Sequence, residues 1–416
     1  MIDKFDAPEN LSINKNIPDA FGGYSVAEWP KRAEEIKKLY EYYMYGPLPD
    51  MSGEDITWVL SEFRENVDTY ELFGGKTVSS KARVANGTIH ISNGEKESSF
   101  DIVVTLPLGP APKEGYPVHI EMSFSFFGML APSKNAYYLA KRGYASIGYE
   151  PTRVAADNST RTGAFYDLYP YGTDWEHQTG AMAAWGWGAS KIVDALENGL
   201  GEEINIDPEF AMLSGVSRFG KATLVAGAYD SRFKVVIPTC SGAGGVAMYR
   251  TVTTGKTFDL KSFDYENEDG GTTHLTTQNE HIQSLQSHDE GHWFNDNFLK
   301  FDCFERLPVD QHMLASLIAD ENRFLFLVNG ILGEDWTNPG AMTVTYLETK
   351  KVFNKLGFSD HLCINVHLLG HALKIEDLEK SLDFCDIRRG LLPDDGSRNF
   401  VNSVFLEEEN LRTIMG

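Results

Sequence analysis

Residues 209–221 read EFAMLSGVSRFGK. The apolar run from Phe210 to Val216 has the length and composition of a buried strand. It leads into Gly215-Val216-Ser217-Arg218-Phe219-Gly220, after which ATLVAGAYD is compatible with a helix. A strand that breaks at a tight glycine turn and re-enters as a helix lifts the intervening serine clear of the sheet edge. It also aims the following backbone N–H groups at one point, where they can hold a developing oxyanion. Ser217 is therefore a candidate nucleophile. The usual spacing of such a turn is G-x-S-x-G; here Phe219 takes the second place after the serine and glycine comes one later. The competing reading is a plain Gly-Ser turn at a sheet's carboxyl edge.

On either side of this stretch, short apolar segments alternate with helical ones. Strands are expected at 117–124, 144–150, 209–216, 234–239, 323–329 and 362–368, with helices near 134–142, 177–198, 219–229, 309–319 and 340–356. Buried strands separated by helices imply a mostly parallel sheet covered on both faces, a three-layer αβα sandwich. Upstream, 25–45 has a proline near a helix start and helical apolar spacing, and 82–92 and 98–108 read as strands around an NGE turn. The stretch 245–308 is long, polar and rich in Gly and Thr; it reads as a loop or lid insertion over the sheet end where α/β folds place ligands. The expectation is one domain over 1–416, with an N-terminal extension over 1–80.

Composition narrows the function. The chain has 37 Lys and Arg against 60 Asp and Glu, a net charge of −23, which argues against nucleic-acid partners and against docking on anionic membranes. No apolar run reaches the roughly 20 residues needed to span a bilayer. The first residues lack the basic-then-apolar profile of a signal peptide, so the chain as it stands reads as cytoplasmic; a secreted protein trimmed of its leader reads the same. Four cysteines without a C-x-x-C pair form no disulfide framework, and Cys303, Cys363 and Cys385 are expected to be core thiols.

Taken together, the motifs resemble the glucuronoyl esterases of carbohydrate esterase family 15. The resemblance rests on G-x-S-R-x-G-K at 215–221, WPKRAEEIKKLYEYYMYGPLP (29–49), DWEHQTGAMAAWGWGASKIVDALE (174–197) and SGAGG (241–245). It continues through HWFNDNF (292–298), LPVDQHML (307–314), WTNP (336–339) and GHAL (370–373), in order over about 25–385. It implies an α/β-hydrolase fold, with the chain order nucleophile, acid, histidine. His371, in the loop after the last expected strand, sits where the base belongs. His367 reads as a packed or supporting histidine. HDEGH (288–292) is not H-E-x-x-H, and no metal or other cofactor is expected.

The acid has two candidates. In fungal members a Glu precedes SGAGG, but Cys240 stands there in this chain and cannot do a carboxylate's work. Bacterial relatives carry the acid two residues before the WTNP tryptophan, which selects Glu334, with Asp335 as the alternative. If both are solvated, a Ser–His pair works alone. The resemblance further assigns Arg218 to the oxyanion, and Lys221, Glu280 and Trp336 to the sugar. Trp175, Trp185, Trp187 and Trp293 are expected in the core. The implied reaction is hydrolysis of a small or oligosaccharide ester of (4-O-methyl-)glucuronic acid, as in links between xylan and lignin. The rivals are a general carbohydrate acyl esterase of the acetylxylan type, and a catalytically weak carbohydrate binder, suggested by Cys240 and the Phe-rich strand at 123–128.

Overall fold

In the computed structural model, residues 5–68, 81–94, 96–125, 130–251, 258–266, 272–277, 280, 282–332 and 334–415 are described. The N-terminal part supplies an antiparallel flank: β1 (Asp55–Leu60), β2 (Arg64–Asp68), β3 (Lys81–Ser92) and β4 (Glu97–Leu106). The chain then turns to parallel strands β5 (Tyr116–Met122), β6 (Ala145–Tyr149), β7 (Ile206–Val216) and β8 (Phe233–Thr239). A separate antiparallel pair, β9 (Phe258–Glu266) and β10 (Thr272–Thr277), interrupts before β11 (Phe324–Leu332), β12 (Leu362–Leu369) and β13 (Val401–Asn402). The main sheet runs β1-β3-β4-β6-β5-β7-β8-β11-β12-β13, with β2 also on β3. Every pairing from β6 to β13 is parallel. This is an α/β-hydrolase fold with a mostly parallel sheet.

Why the central strands read as unbroken apolar runs is now plain. β7 lies between β5 and β8, and its residues 211–215 are all buried because helices cover both faces. One cover is the helix Ala181–Ala195, in which only Asp194 escapes burial. It packs on the helix Arg218–Tyr229 so closely that a Cβ on Gly186 would lie 2.8 Å from Ala226 Cβ. Trp185 and Trp187 are fully buried in this layer, as expected of an all-round apolar helix. Trp175 is instead half-buried, its ring 5.2 Å from Tyr42 and 5.9 Å from Phe5.

Several expectations change. The strand expected over 117–124 stops at Met122; Ser123–Ser125 are irregular, and the Phe-rich remainder of 123–128 lies outside the described residues. The helix expected over 309–319 is only Gln311–Ser316, started by the Asp310 carboxylate accepting from Gln311 N–H. The 245–308 stretch is not simply a polar cover. Val246–Tyr249 are buried, and Phe294, Phe298, Phe301 and Phe304 enter the main core, with Phe294 and Phe298 stacked at 4.0 Å. Asn295 Nδ2 donates to the Glu41 and Tyr42 carbonyls, so the segment is fastened to the N-terminal region. Cys363 and Cys385 are buried, but Cys303 is half-exposed between Asp302 and the turn Phe304–Arg306. Among the described residues no helix is long and apolar enough to cross a membrane.

Candidate active site

The turn after β7 is strained in the way a nucleophile's turn requires. Ser217 has φ 64° and ψ −129°, a region costly for any residue with a Cβ. Neighbours hold it there: Ser217 N–H donates to Thr239 O at 3.0 Å, and Lys221 N–H donates to Ser217 O at 3.0 Å. A Cβ on Gly215 would lie 2.5 Å from Phe219 O, and one on Gly220 would lie 2.4 Å from Thr239 O. The close approach to β8 therefore falls at 220, which frees position 219 for a side chain. Phe219 is fully buried, edge-on to Trp185 at 5.2 Å and 4.4 Å from Phe124. The departure from G-x-S-x-G is a shift of the glycine to the place where backbone meets backbone.

Parallel pairing of β11 with β12 sets their following loops side by side. Glu334 follows β11 and His371 follows β12; His371 Nδ1 lies 2.8 Å from Glu334 Oε2. Glu334 is 1% exposed, and the same oxygen accepts from Thr337 Oγ1 at 3.0 Å. The Asp335 side chain lies outside the described residues. Trp336 is 41% exposed, with its ring 5.1 Å from that of His371, so it forms an open wall beside the histidine. Among the described residues no hydrogen bond joins Ser217 Oγ to His371; bonds of this kind commonly tighten only with substrate in place.

Cys240, at the end of β8, is fully buried with φ 47°. Burial first, then the Glu334 charge, push its thiol pKa up, so it is neutral at physiological pH. His367 braces the loop before His371: its Nε2 is 2.9 Å from Gly370 O and its Nδ1 is 2.9 Å from Asp377 Oδ2.

Two cations complete the site. Lys221, 1% exposed, donates to Ala243 O at 2.6 Å and Glu280 Oε2 at 2.8 Å. An ammonium has three donors, so among the described residues one is left without a partner. Glu280 Oε2 also accepts from Ala243 N–H at 2.8 Å, and burial raises its pKa despite Lys221. Arg218 donates through Nη1 to Asp157 Oδ2, while its buried Nε has no hydrogen-bond partner among the described residues. Trp293 Nε1 donates to Asp157 Oδ1 at 2.8 Å, and His292 Nε2 is 2.9 Å from the same oxygen. Burial tends to raise the Asp157 pKa, but these bonds and the Arg218 guanidinium outweigh it and hold the carboxyl at about 2.

The chain is similar to known proteins over most of its length. The family model "Glucuronyl esterase, fungi" matches residues 89–357. A "Multidomain esterase" of Ruminococcus flavefaciens is 38% identical over 98% of this chain. A "4-O-methyl-glucuronoyl methylesterase" of Hypocrea jecorina is 33% identical over 73% of it. The solved glucuronoyl esterase of Caldicellulosiruptor kristjansonii superposes with a TM-score of 0.75 at 36% identity, covering 98% of each chain. The chain belongs to the glucuronoyl esterases of carbohydrate esterase family 15. It spans 50% of the length of the Ruminococcus protein and 58% of the Hypocrea one.

The structure thus gathers the family-implied residues at one sheet edge and adds some that sequence reading missed. Trp293, expected in the core, is buried but lies under both cations, with Arg218 5.6 Å and Lys221 Nζ 5.8 Å from its ring centroid. Asp157 and His292 had no assigned role. Of the HDEGH histidines, His292 is taken by Asp157 and His288 is exposed beside Asp289. Glu290 is a further carboxyl facing this region: burial first, then Glu280, push its pKa up to about 7, and its buried Oε2 has no hydrogen-bond partner among the described residues.

Proposed function

We propose that this chain is a serine carboxylic-ester hydrolase for esters of (4-O-methyl-)glucuronic acid, acting on small or oligosaccharide substrates through Ser217, His371 and Glu334. The observation that carries the reading is the buried Glu334 carboxylate 2.8 Å from His371 Nδ1, at the sheet edge that also holds the strained Ser217 turn. It fixes Nδ1 as the protonated nitrogen and leaves Nε2 to accept a proton. Ser217 Oγ attacks the C6 carbonyl while His371 takes its proton; the same proton then goes to the departing alcohol. Water, deprotonated by His371, attacks the acyl-enzyme and returns free Ser217 and the uronic acid. The unpartnered Arg218 Nε and the amides at the start of the helix Arg218–Tyr229 are the donors for the oxyanion. The spare Lys221 donor and Glu280 meet sugar hydroxyls, and Trp336 offers its face to the ring.

Comparative kinetics test this. Methyl and benzyl glucuronate should be hydrolysed, with Ser217→Ala abolishing turnover. Lys221→Ala should lower kcat/KM on glucuronate esters by about 10–100-fold, as expected for a lost charged hydrogen bond, and leave 4-nitrophenyl acetate within about twofold. Equal loss on both substrates, or acetate as the better substrate of the unaltered protein, would establish a general acyl esterase instead.

A further inference from the structure

One group of potential ligands joins two members of the proposed triad to a side chain with no part in it. The Cys240 sulfur, a Glu334 oxygen and a His371 nitrogen lie within 4.8 Å of one another. They come from three adjacent strand ends, β8, β11 and β12, so the sheet itself sets their spacing. A zinc ion takes sulfur at about 2.3 Å and nitrogen or oxygen at about 2.0–2.2 Å in tetrahedral array, which puts its ligands roughly 3.3–3.8 Å apart. The 2.8 Å Glu334–His371 pair has to open slightly, and the sulfur has to close by about 1 Å or less. The partly exposed His371 side chain is the member with room to shift, since Cys240 is buried and its backbone is pinned by its N–H bond to Val328 O at 2.9 Å. His371 is 34% exposed and opens a route for an ion; Cys240 and Glu334 are buried behind it.

We propose that Cys240, Glu334 and His371 form an inhibitory site for a thiophilic divalent cation such as Zn²⁺ or Cd²⁺. The charges balance: one thiolate and one carboxylate neutralise a dication, with neutral imidazole as third ligand and water in the open fourth position. Binding releases the Cys240 thiol proton to water, and the imidazole proton moves from Nδ1 to Nε2 through solvent. His371 with its metal on Nδ1 then carries hydrogen on Nε2, the nitrogen that has to accept from Ser217, so hydrolysis stops. That inhibitory consequence rests on the function proposed above; the binding itself does not. Thiolate in the ligand set selects zinc and cadmium over magnesium and calcium.

The test titrates ZnCl2, CdCl2 and MgCl2 into the full chain and into Cys240→Ala and Cys240→Ser. Zinc and cadmium should inhibit hydrolysis of methyl glucuronate reversibly with a chelator, and magnesium should not. Loss of the thiolate should raise the half-inhibitory zinc concentration by at least about 10–100-fold, the scale set by the loss of even a supporting contact at a metal site. Cadmium should give the ultraviolet thiolate-to-metal charge-transfer band in the unaltered chain and not in either variant, although Cys303, Cys363 and Cys385 remain. Equal inhibition of all three proteins, or inhibition without that band, overturns the proposal. The band reads binding without turnover, so a chain that shows it yet hydrolyses no ester would keep the metal site and lose the esterase reading.

Discussion

Replacing Glu334 by Gln tests the acid most sharply, because size and shape are kept while charge is lost. Glu334 is 1% exposed, and its Oε2 receives both His371 Nδ1 at 2.8 Å and Thr337 Oγ1 at 3.0 Å. When His371 takes the Ser217 proton, an imidazolium forms against this carboxylate. Two unit charges about 4 Å apart at an effective dielectric constant of about 20 attract by about 4 kcal/mol, or roughly a thousandfold in rate. Gln also turns an amide N–H toward the imidazole in half of its orientations, which selects the wrong tautomer and adds to the loss. The corresponding change in a serine protease costs about 10⁴ in kcat. We therefore expect kcat on benzyl glucuronate to fall by about 10³–10⁴ with KM within about threefold. Asp335→Asn should fall less than about threefold. Cys240 cannot compensate, since its buried thiol stays neutral. A loss smaller than about tenfold in Glu334→Gln would mean that His371 works without it; a larger loss in Asp335→Asn than in Glu334→Gln would move the acid to Asp335.

Two more outcomes follow from the charges. Asp157→Asn should cut kcat by about tenfold, by releasing Arg218, with little change in KM. The same variant should show a stability deficit set by the Asp157 carboxyl, held at about 2 against an ordinary 3.8. That depression is equivalent to about 2 kcal/mol, and solvent screening at this partly exposed group reduces it to about 1–2 kcal/mol. A depressed carboxyl stabilises the fold fully above its unfolded pKa and loses that contribution as pH falls through the folded one. The gap in denaturation free energy between the two proteins should therefore be constant above about pH 4–5 and close between about pH 4 and 2; a gap that persists at pH 2 would refute the electrostatic account. Separately, a net charge of −23 should repel anionic glucuronoxylan, so moderate salt should raise kcat/KM on the polymer and leave small methyl esters unchanged. Equal salt response on both substrates would rule this out.

The sequence made legible whatever depends on local pattern. Phe210–Val216 ending at Gly215 and Ser217 is a strand, a turn and a helix in one stretch, and the parallel sheet follows from several such apolar runs. His371 stood out because loop position after the last long strand is itself a pattern, and the structure sets its Nδ1 2.8 Å from Glu334 Oε2. What stayed hidden depends on distance in the chain. Asp157 reaches Arg218 across 61 positions, and its surroundings, AADNST, carry no period or motif to mark it. Trp293 packs in the core as its apolar neighbourhood implies, but nothing in the local sequence shows that the same indole also lies under two cations. The four phenylalanines from 294 to 304 were lost for a related reason, diluted by the Gly, Thr and acidic residues around them.

The glycine shift and the missing fungal acid teach the same point in opposite directions. Position 219 departs from the usual serine motif, yet the demand for a bare backbone falls at Gly220, against Thr239 O, and Phe219 is free to fill the core. Cys240 puts a thiol, not a carboxylate, at the end of β8. In the proposed triad the requirement is a carboxylate within reach of His371 Nδ1; β11 lies between β8 and β12, and the Glu334 carboxylate that follows it lies 2.8 Å from that nitrogen, while the end of β8 is one strand further away. A motif records where one relative satisfied a physical demand. The sheet decides which other positions can satisfy it, and here the position that fell vacant left a thiol where a metal ion can compete for the same pair of groups.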